Sequence, residues 1–544
     1  MKTDLTMQTV LNATKSGKIC LATNYLLWTE PTRQMWTDLD RHLDEFDCRL
    51  VLLTTSVPED PLPFPVIPIS FLLHDYARLF PGAVGVGGMV SAGDLERLQA
   101  DCIRANRGYP PGEALPGLFA CRQLFATVLN TLHPSYVLTW DPTSPIAQIL
   151  QAAAQDAGVP VQGMERGFFS ETLMIETRGI QAWSDLRTSW MAQDIPDSAG
   201  DAAAYERIRS YYLTCKPQKY AQADFGGGGA ALRRQLGLEG KKVVVFLGSW
   251  EADGFAPRGA VYERCFHTGF PTTLEALLAM GRLVKTLPGV ALVFKPHPLD
   301  QQSYVSAKLE GVQLVTDVNV LALMDAADVV AAHYTTLQFE ATFYDKPVLL
   351  LARSAWWGRD AAYEVEFPED LPAMLAAALL RRDWPRLQAN AHAFITWVMD
   401  QFLIGCTDRV PARRNLRDFA HFIAATSLDA RRLPPPEVRW ERTGQAIEAL
   451  KVGRSSGSVM GGALPPLAPP VVPFPVMGLK KCPAVSPAPI PAIPGVRAGK
   501  PMIFNAGNMG RKPAAPPQAP PESAGLTLPA SLYSHGSKGQ HSYP

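Results

Sequence analysis

The sequence predicts an α/β protein of two tandem doubly wound, Rossmann-like domains with a disordered proline-rich tail. Three observations support this prediction: short apolar runs alternate with amphipathic stretches, this alternation occurs twice, and the proline content rises sharply near residue 433. Strands that alternate with helices are typical of parallel sheets covered by helices. We place a first domain at residues 1–190, a connection at 191–240, a second domain at 241–432 and the tail at 433–544.

The composition excludes several classes of function. The chain has 544 residues, 47% of them hydrophobic, which is enough for two or three cores of ordinary size. Its 51 Lys and Arg residues equal its 51 Asp and Glu residues, so no overall positive field predicts nucleic acid as a partner. No apolar run has the roughly 18 residues of a membrane-spanning helix, and the start has no signal-peptide core. We expect a cytoplasmic protein, and we keep peripheral association with the inner membrane open.

The eight cysteines do not form a disulfide or metal-binding pattern. They stand singly, without a CxxC pair and without metal-ligand spacing. We therefore expect reduced, mostly buried cysteines.

The first half of the chain contains four predicted strands and one well-marked helix. The strands are KICLA at 18–22, RLVLLTT at 49–55, YVLTW at 136–140 and VPVQGM at 159–164. Between the last two, Ser144 is typical of a helix N-cap, Pro145 of the first helical position and Gly158 of a helix stop. Four consecutive glycines at 226–229 then predict a flexible connection between the halves.

The second half repeats the pattern with five predicted strands. They are KVVVFLG at 242–248, VALVFK at 290–295, VQLV at 312–315, DVVAA at 328–332 and PVLLLA at 347–352. Thr272 and Glu275 fit a capping box at the start of the first helix of this half. In doubly wound sheets, ligands bind at the carboxyl ends of the strands, so the strand exits are the first places to search for a site.

The tail from Pro434 to Pro544 holds 22 of the 48 prolines and loses helical periodicity. Such a composition does not bury enough apolar surface to offset the entropy of ordering, so we expect a disordered, partly polyproline II segment. It is either a solvated extension or a docking segment for a protein partner with an aromatic groove.

One candidate site follows the strand VALVFK. Its two prolines, Pro296 and Pro298, end the strand and hold His297 at a defined angle, because they fix φ and remove backbone donors. A fixed imidazole beside the ammonium of Lys295 suits a phosphate. The alternative is an ordinary tight turn in which the histidine binds local backbone.

A second candidate lies where the strand DVVAA exits at His333. A helix is predicted to begin at Thr335, with Gln338 completing a capping box. Its free amides and the hydroxyls of Thr335 and Thr336 predict an anion site. Glu340, one turn later, is placed to accept the hydroxyls of a ribose.

The two exits have to act together. A helix end supplies only about 0.3 to 2 kcal/mol, whereas binding at tens of micromolar needs about 6 to 7 kcal/mol. We expect the two exits on neighbouring strands, where they form one site for a nucleotide phosphate. The alternative is simple helix capping and packing.

The first half offers an acidic candidate, Glu165, directly after its fourth predicted strand. Gly167 permits an irregular turn beside it, so the carboxylate would face a cleft between the domains. A salt bridge to Arg166 or Arg178 is the alternative. The pair Trp356 and Trp357 likewise either stacks on a base or sugar or packs within the protein.

Three segments resemble the bacterial capsule polysaccharide biosynthesis proteins, a family that includes the β-Kdo transferases. They are MERGFFSETLMIETRGI at 164–180, LVFKPHP at 292–298 and HYTTLQFEATFYDKPVL at 333–349. The likeness covers roughly residues 130–360. It implies a GT-B-like architecture, with the acceptor side on the first domain, the nucleotide-sugar donor mainly on the second, and no metal requirement.

The resemblance also implies roles for individual residues. It implies that His297 contacts the donor phosphate, that Thr335 and Thr336 match the paired hydroxyl residues of the family, and that Glu165 matches its cleft acid. From the strand exits themselves we also expect Lys295 and His333 at the donor phosphate and Glu340 at the ribose. Glu165 and His297 are the predicted catalytic residues. Family members commonly carry serines where Thr335 and Thr336 stand, and some carry an acid where this chain has Arg166.

The implied activity is glycosyl transfer from a nucleotide sugar, with a CMP-linked sugar as one candidate, to a glycan or glycolipid acceptor. Fixed donors would stabilise the departing phosphate, and Glu165 would act as the base or stabilise the oxocarbenium ion. Because Glu165 and His297 are on different domains, domain closure is expected before chemistry. Alternatives with the same architecture are a polymer phosphotransferase, a sugar-nucleotide 2-epimerase and a non-catalytic glycan-binding or scaffold protein.

Overall fold

The computed structural model describes most of the chain between residues 18 and 427. The described residues are 18–24, 28–54, 58, 60–69, 111–142, 144–176, 184, 186, 202–215, 227–249, 269–298, 304 and 309–427. The predicted tail at 433–544 lies outside them. None of the described helices combines the length and the hydropathy that a membrane span requires. Three of the described cysteines, Cys20, Cys48 and Cys121, are buried, whereas Cys215 is exposed.

The first sheet has eight strands in the order β14-β13-β6-β5-β4-β1-β2-β3. Their bounds are β1 Lys18–Asn24, β2 Cys48–Thr54, β3 Val66–Pro68, β4 Tyr136–Trp140, β5 Val161–Arg166, β6 Thr172–Glu176, β13 Ile404–Gly405 and β14 Arg414–Asn415. The four strands predicted in the first half are all present as β1, β2, β4 and β5, and they pair in parallel. β6 is antiparallel to β5 and was not predicted.

Helices connect these strands as the local sequence signals indicate. Their bounds are α1 Glu30–Asp44, α2 Pro111–Leu132 and α3 Pro145–Asp156. The hydroxyl of Ser144 accepts a hydrogen bond from the backbone N–H of Ala147 at 3.3 Å and so caps α3 as predicted. Gly158 ends this segment with φ of +68°, a conformation that favours glycine.

The second sheet has six strands in the order β12-β11-β10-β7-β8-β9, and all of them are parallel. Their bounds are β7 Lys242–Leu247, β8 Val290–Lys295, β9 Val312–Leu314, β10 Val329–Ala332, β11 Val348–Leu350 and β12 Tyr363–Glu364. All five strands predicted in this half are present. A mainly parallel first sheet and a fully parallel second sheet confirm the predicted α/β fold class, and the nearly continuous burial of β7 and β10 is typical of strands covered on both faces.

The helices of this half surround the second sheet. They are α4 Ala202–Cys215, α5 Gly228–Gln235, α6 Thr273–Lys285, α7 Val320–Ala326, α8 Leu337–Glu340, α9 Leu371–Leu379 and α10 Trp384–Trp397. Thr272 caps α6, since its hydroxyl accepts from the N–H of Glu275 at 3.1 Å. α10 continues as a turn of π-helix at Val398–Phe402.

The glycine run does not serve as a flexible connection in its described part, 227–229. Gly228 begins α5, and the N–H of Gly229 donates to the Asp325 carboxylate at 2.6 Å. A Cβ on Gly229 would lie only 2.5 Å from the backbone nitrogen of Ala326. These glycines therefore permit close packing of α5 against α7, and the prediction of flexibility at 227–229 is wrong.

The chain returns to the first sheet near its described end. β13 hydrogen-bonds to β6, and the last helix, α11 Leu416–Thr426, packs against α1 with an ion pair between Arg417 and Glu45 at 2.8 Å. The predicted second domain, 241–432, therefore differs from the structure at 404–427, which belongs with the first sheet. No local sequence signal distinguishes a helix that packs on a distant sheet from one that packs on its own.

Within the part of the chain that the structure describes, buried residues form three cores. One belongs to the first sheet, and the second sheet has one on each face. The core on one face of the second sheet also contains Phe168, Phe169 and Met174, which come from the β5–β6 segment of the first sheet. The two sheets are therefore joined through a shared core.

Candidate functional site

The carboxyl edge of the second sheet gathers the predicted donor-site residues. β8, β7 and β10 are parallel, so the segments after them, which carry His297, Ser249 and Thr335, leave the sheet at one edge. The prediction that the His297 and Thr335 exits share an edge is confirmed. The prediction that their strands are neighbours is wrong, because β7 lies between β8 and β10. Two strand spacings separate the exits, about 10 Å.

The exit of β7 bridges the gap, a role that the sequence analysis missed. The N–H of Gly248 donates to the carbonyl of Lys295 at 2.8 Å, and a Cβ on Gly248 would lie 3.1 Å from the nitrogen of His297. On the other side, the hydroxyl of Ser249 accepts from the N–H of Tyr334 at 3.2 Å. The sequence signal that could have identified them is the pair of small residues at the end of the predicted strand, Gly248 and Ser249 in FLGSW.

Lys295 is turned toward the protein interior. It is 7% exposed, and its Nζ donates to the carbonyl of Thr316 at 2.8 Å. Burial lowers the pKa of this ammonium, and Asp317 acts in the opposite direction. Lys295 thus binds the loop after β9. The prediction that Lys295 binds a phosphate did not include this contact. His297 itself is half-buried at the edge of the sheet.

His333 is buried, with 1% of its surface exposed. Its Nε2 lies 2.9 Å from the carbonyl of Phe270, and its Nδ1 lies 3.4 Å from the hydroxyl of Thr273. A carbonyl only accepts, so Nε2 carries a proton and donates to Phe270, and Nδ1 shares a hydrogen bond with the Thr273 hydroxyl. Since both nitrogens have partners within the protein, the predicted contact of His333 with phosphate does not fit this arrangement.

The predicted helix at Thr335 is shorter than expected. One α-helical turn at Leu337–Glu340 is followed by a 3-10 turn at Ala341–Tyr344, and Thr336 occupies the N-cap position without a capping side-chain bond. The hydroxyl of Thr335 accepts from the N–H of Leu337 at 3.4 Å. One turn sums few peptide dipoles, so the hydroxyls of Thr335 and Thr336, both half-buried, matter more here than a helix dipole.

The predicted capping box is wrong because Gln338 points into the core. Its Oε1 accepts from the indole N–H of Trp356 at 2.8 Å, and both residues are fully buried. Trp356 also lies 4.7 Å from Phe339, measured between ring centroids. Of the two interpretations of this tryptophan, the structure supports packing.

Glu340 is 8% exposed and faces tyrosines. Burial raises the pKa of Tyr212 and of Tyr344, and the negative charge of Glu340 raises both further. Tyr212 belongs to the shared core, so Glu340 lies close to where the two sheets meet. Its assignment to a ribose stays a prediction.

Arg353 brings a further cation to the same edge, after β11. Its guanidinium forms an ion pair with the carboxylate of Glu366, and no residue in the described part of the chain hydrogen-bonds its buried Nε. Arg353 was not among the predicted site residues, although Arg353 and Ser354 directly follow the predicted strand PVLLLA.

Glu165 lies inside β5, which extends two residues beyond the predicted strand and turns back into β6. Its carboxylate accepts from the N–H of Arg166 at 2.7 Å. Gly167 makes the turn possible for a steric reason, since a Cβ there would lie 1.9 Å from the hydroxyl of Thr172. The glutamate is half-buried at the carboxyl edge of the first sheet.

The β5–β6 hairpin brings the carboxyl edges of the two sheets together. Phe168, three residues after Glu165, lies 4.4 Å from Phe339, between ring centroids. Phe339 stands three residues after Thr336. The acidic segment of the first sheet and the hydroxyl-bearing segment of the second sheet are thus connected by one aromatic contact.

Comparisons with known proteins give likenesses of fold. No family model matches the chain, and no curated protein matches it. Among solved structures, the chain is similar to the β-Kdo 2,7 transferase of KpsC from Thermosulfurimonas dismutans, at 17% identity over 60% of this chain and 90% of that chain, with a TM-score of 0.31. It is similar to trehalose 6-phosphate synthase from Burkholderia multivorans, at 13% identity over 75% and 98%, with a TM-score of 0.38. It is also similar to UDP-GlcNAc 2-epimerase from Methanocaldococcus jannaschii, at 11% identity over 70% and 99%, with a TM-score of 0.34.

Proposed function

We propose that the protein is a GT-B-type glycosyltransferase that transfers a sugar from a nucleotide donor without a metal ion. The observation that carries the proposal is the contact between Phe168 and Phe339, which brings together the carboxyl edges of the parallel strands of the two sheets. In doubly wound sheets, ligands bind outside these edges. A donor on the second sheet and an acceptor on the first would therefore meet between them.

On the donor side, His297, Thr335 and Thr336 would contact the phosphate. All three are half-buried at one sheet edge, and Gly248 and Ser249 connect their segments. An imidazole and hydroxyls held by packed backbone stabilise a developing phosphate charge without reorganising. Lys295 and His333 would hold these phosphate-binding segments in place from the protein interior, since their polar atoms bind Thr316, Phe270 and Thr273.

On the acceptor side, Glu165 would take the proton of the attacking hydroxyl. The acceptor oxygen then bonds to the anomeric carbon of the donor, and the bond from that carbon to the phosphate oxygen breaks with its electron pair. The hydrogen bond from the N–H of Arg166 holds one carboxylate oxygen at 2.7 Å and so orients the group. The nucleotide leaves as an anion against His297 and the two threonines, with its ribose at Glu340.

The class of product, a polysaccharide, is proposed from the three motifs that resemble capsule polysaccharide biosynthesis proteins. On this basis we assign the protein to the assembly of a bacterial surface polysaccharide, with a glycan or glycolipid acceptor. A CMP-linked sugar is the first donor to test, because the resemblance includes β-Kdo transferases.

A thermal-shift screen with CMP, UDP, GDP and CDP tests the donor site. A nucleotide at a hundredfold excess over its dissociation constant stabilises the protein by about 2.7 kcal/mol. We expect one nucleotide to raise the melting temperature of the wild type and of His421→Ala, an exposed-histidine control, but not of His297→Ala. Absence of a shift with all four nucleotides contradicts the proposal.

Product analysis then separates the reaction classes. A transferase releases the nucleotide in proportion to acceptor consumed. An epimerase releases an isomerised sugar nucleotide without an acceptor, a phosphotransferase leaves phosphate in its polymer, and a binding protein gives no product. Equal loss of stability and turnover in His297→Ala indicates that the histidine has a structural role.

A further inference from the structure

We propose that Phe168 and Phe339 are positioning residues, whose contact fixes the strand bearing Glu165 against the segment Thr335–Glu340. This inference rests on the proposed function for the roles of Glu165 and the threonines. The packing itself does not depend on that function. A packed aromatic core sets the register between the two sheet edges, and not a hinge that closes only when substrate binds.

The hairpin side of this contact is held rigidly. The N–H of Gly167 donates to the carbonyl of Thr172 at 2.8 Å, and the hydroxyl of Thr172 donates to the carbonyl of Phe169 at 2.7 Å. Phe168 and Phe169 are fully buried although they stand at the tip of a hairpin. Tip residues usually face water, so their burial means that a partner surface covers them.

Helix α4 clamps the same hairpin from outside the sheet. The hydroxyl of Tyr212 donates to the carbonyl of Ser170 at 3.0 Å, and the hydroxyl of Tyr211 donates to the carboxylate of Glu171. The ring of Tyr212 stacks on Phe343 at 5.4 Å, with 5° between the planes. α4 therefore binds the hairpin and the second-sheet segment at once.

The second-sheet side is equally well packed. Phe339 contacts Phe168 at 4.4 Å, Trp356 at 4.7 Å and Phe394 at 5.9 Å, between ring centroids, and it is fully buried. Phe169 adds a contact to Phe343 at 5.3 Å. Because packed cores move between discrete arrangements and do not deform continuously, this network transmits the position of one edge to the other.

The chain spacing makes this network relevant to chemistry. Phe168 is three residues from Glu165, and Phe339 lies between Gln338 and Glu340, three residues from Thr336. A displacement of about 1 Å at a reacting group suffices to slow a reaction about a hundredfold. Loss of one ring from the contact should therefore affect turnover more than nucleotide binding, which uses only the second sheet.

The test compares Phe168→Leu with Phe125→Leu. Phe125 is also fully buried, but it lies in the core of the first sheet and does not bridge the sheets. We expect similar falls in melting temperature for both variants. Hydrogen–deuterium exchange of the peptide covering residues 335–344 should accelerate at least tenfold in Phe168→Leu and stay within twofold of the wild type in Phe125→Leu. Phe339→Leu should reciprocally accelerate exchange at residues 165–171.

Kinetics supply the second readout. In Phe168→Leu we expect kcat to fall more than tenfold while the nucleotide affinity stays within twofold, and we expect Phe125→Leu to keep kcat within twofold. Phe168→Met, which fills the same space with a flexible side chain, serves if the leucine variant does not fold. Equal exchange at residues 335–344 in the two phenylalanine variants overturns the inference. A wild type without transferase activity contradicts the proposed function alone, since the exchange experiment needs no substrate.

Discussion

The Nζ of Lys295 donates a hydrogen bond to the backbone carbonyl of Thr316 at 2.8 Å. A lysine at the end of a strand, beside a histidine between two prolines, predicts a phosphate ligand from sequence. In the structure its charge instead fixes the loop that follows the neighbouring strand. The difference matters for experiments, because a structural lysine and a ligand lysine respond differently to the same substitution.

Lys295→Met should destabilise the protein by about 1 to 3 kcal/mol, because it removes a charge-assisted bond to a carbonyl at a site that is 7% exposed. Urea unfolding measures this change. Lys285→Met is the matched control: its ion pair with Glu310 lies on the surface, so its loss should cost at most about 1 kcal/mol. Unchanged stability together with loss of the nucleotide-induced thermal shift would instead make Lys295 a ligand.

His333→Phe should also act on stability. The substitution leaves the carbonyl of Phe270 without the Nε2 donor and removes the Nδ1 partner of the Thr273 hydroxyl, at an expected cost of about 1 to 3 kcal/mol. Chemical denaturation measures the free energy of unfolding of this variant. The control is His421→Phe, because His421 is exposed and its substitution should change the stability by at most about 0.5 kcal/mol. The assignment is wrong if the folded variant keeps full stability and binds no nucleotide.

Gly167→Ala should destabilise the hairpin by about 1 to 3 kcal/mol, the usual cost of overpacking. Its new methyl group would start 1.9 Å from the hydroxyl of Thr172, so the turn has to open. Gly405→Ala, in the same sheet, is the control, because its methyl group meets atoms no closer than 3.4 Å. Thermal unfolding of the two variants should separate them clearly, and equal melting temperatures would show that the hairpin turn adapts without cost.

His392 should make stability depend on pH. Its ring stacks on Tyr205 at 3.5 Å, and burial lowers its pKa from 6.5 to about 4. Because the folded pKa lies below the unfolded one, the folded state favours the neutral ring. The resulting stability is fully present above about pH 6.5 and is lost as the pH falls toward 4.

The variant His392→Phe keeps a ring beside Tyr205 but does not titrate. Its free energy of unfolding should therefore fall less than that of the wild type between pH 6.5 and 4.5, measured in urea at matched ionic strength. Carboxylates that titrate in this range are common to both proteins and cancel in the comparison. If the free energies of unfolding of the two proteins change equally with pH, His392 does not contribute to the pH dependence of stability.

Local sequence patterns predicted the elements of this fold well. Four strands of the first half and five of the second were predicted within a few residues, because buried parallel strands are continuous apolar runs. Ser144 and Thr272 were correctly predicted as N-caps, since a cap depends on a side chain and an amide three residues away. The prediction failed where a partner is distant: Gln338 binds Trp356 and not its own helix start.

The candidate site was predicted only in part for the same reason. The sequence identified the segments of His297, Thr335 and Glu165 as strand exits, and they are at or next to strand ends. It missed Gly248 and Ser249, because their importance comes from β7 lying between β8 and β10. Sheet order is a property of pairing between distant segments and leaves no local signal.

The sequence by itself determined the α/β class, nine of the strands, the helix caps at Ser144 and Thr272 and the polar segments that follow the strands, because each depends on residues within about one turn or one strand. Only the tertiary structure decided that β7 separates the two predicted donor exits, that residues 404–427 return to the first sheet, and that Phe168 reaches Phe339. These features depend on which apolar surfaces cover one another. The hydrophobic effect has no direction, so it favours contact between apolar surfaces in general. The sequence of a single segment therefore does not specify which distant segment will cover it.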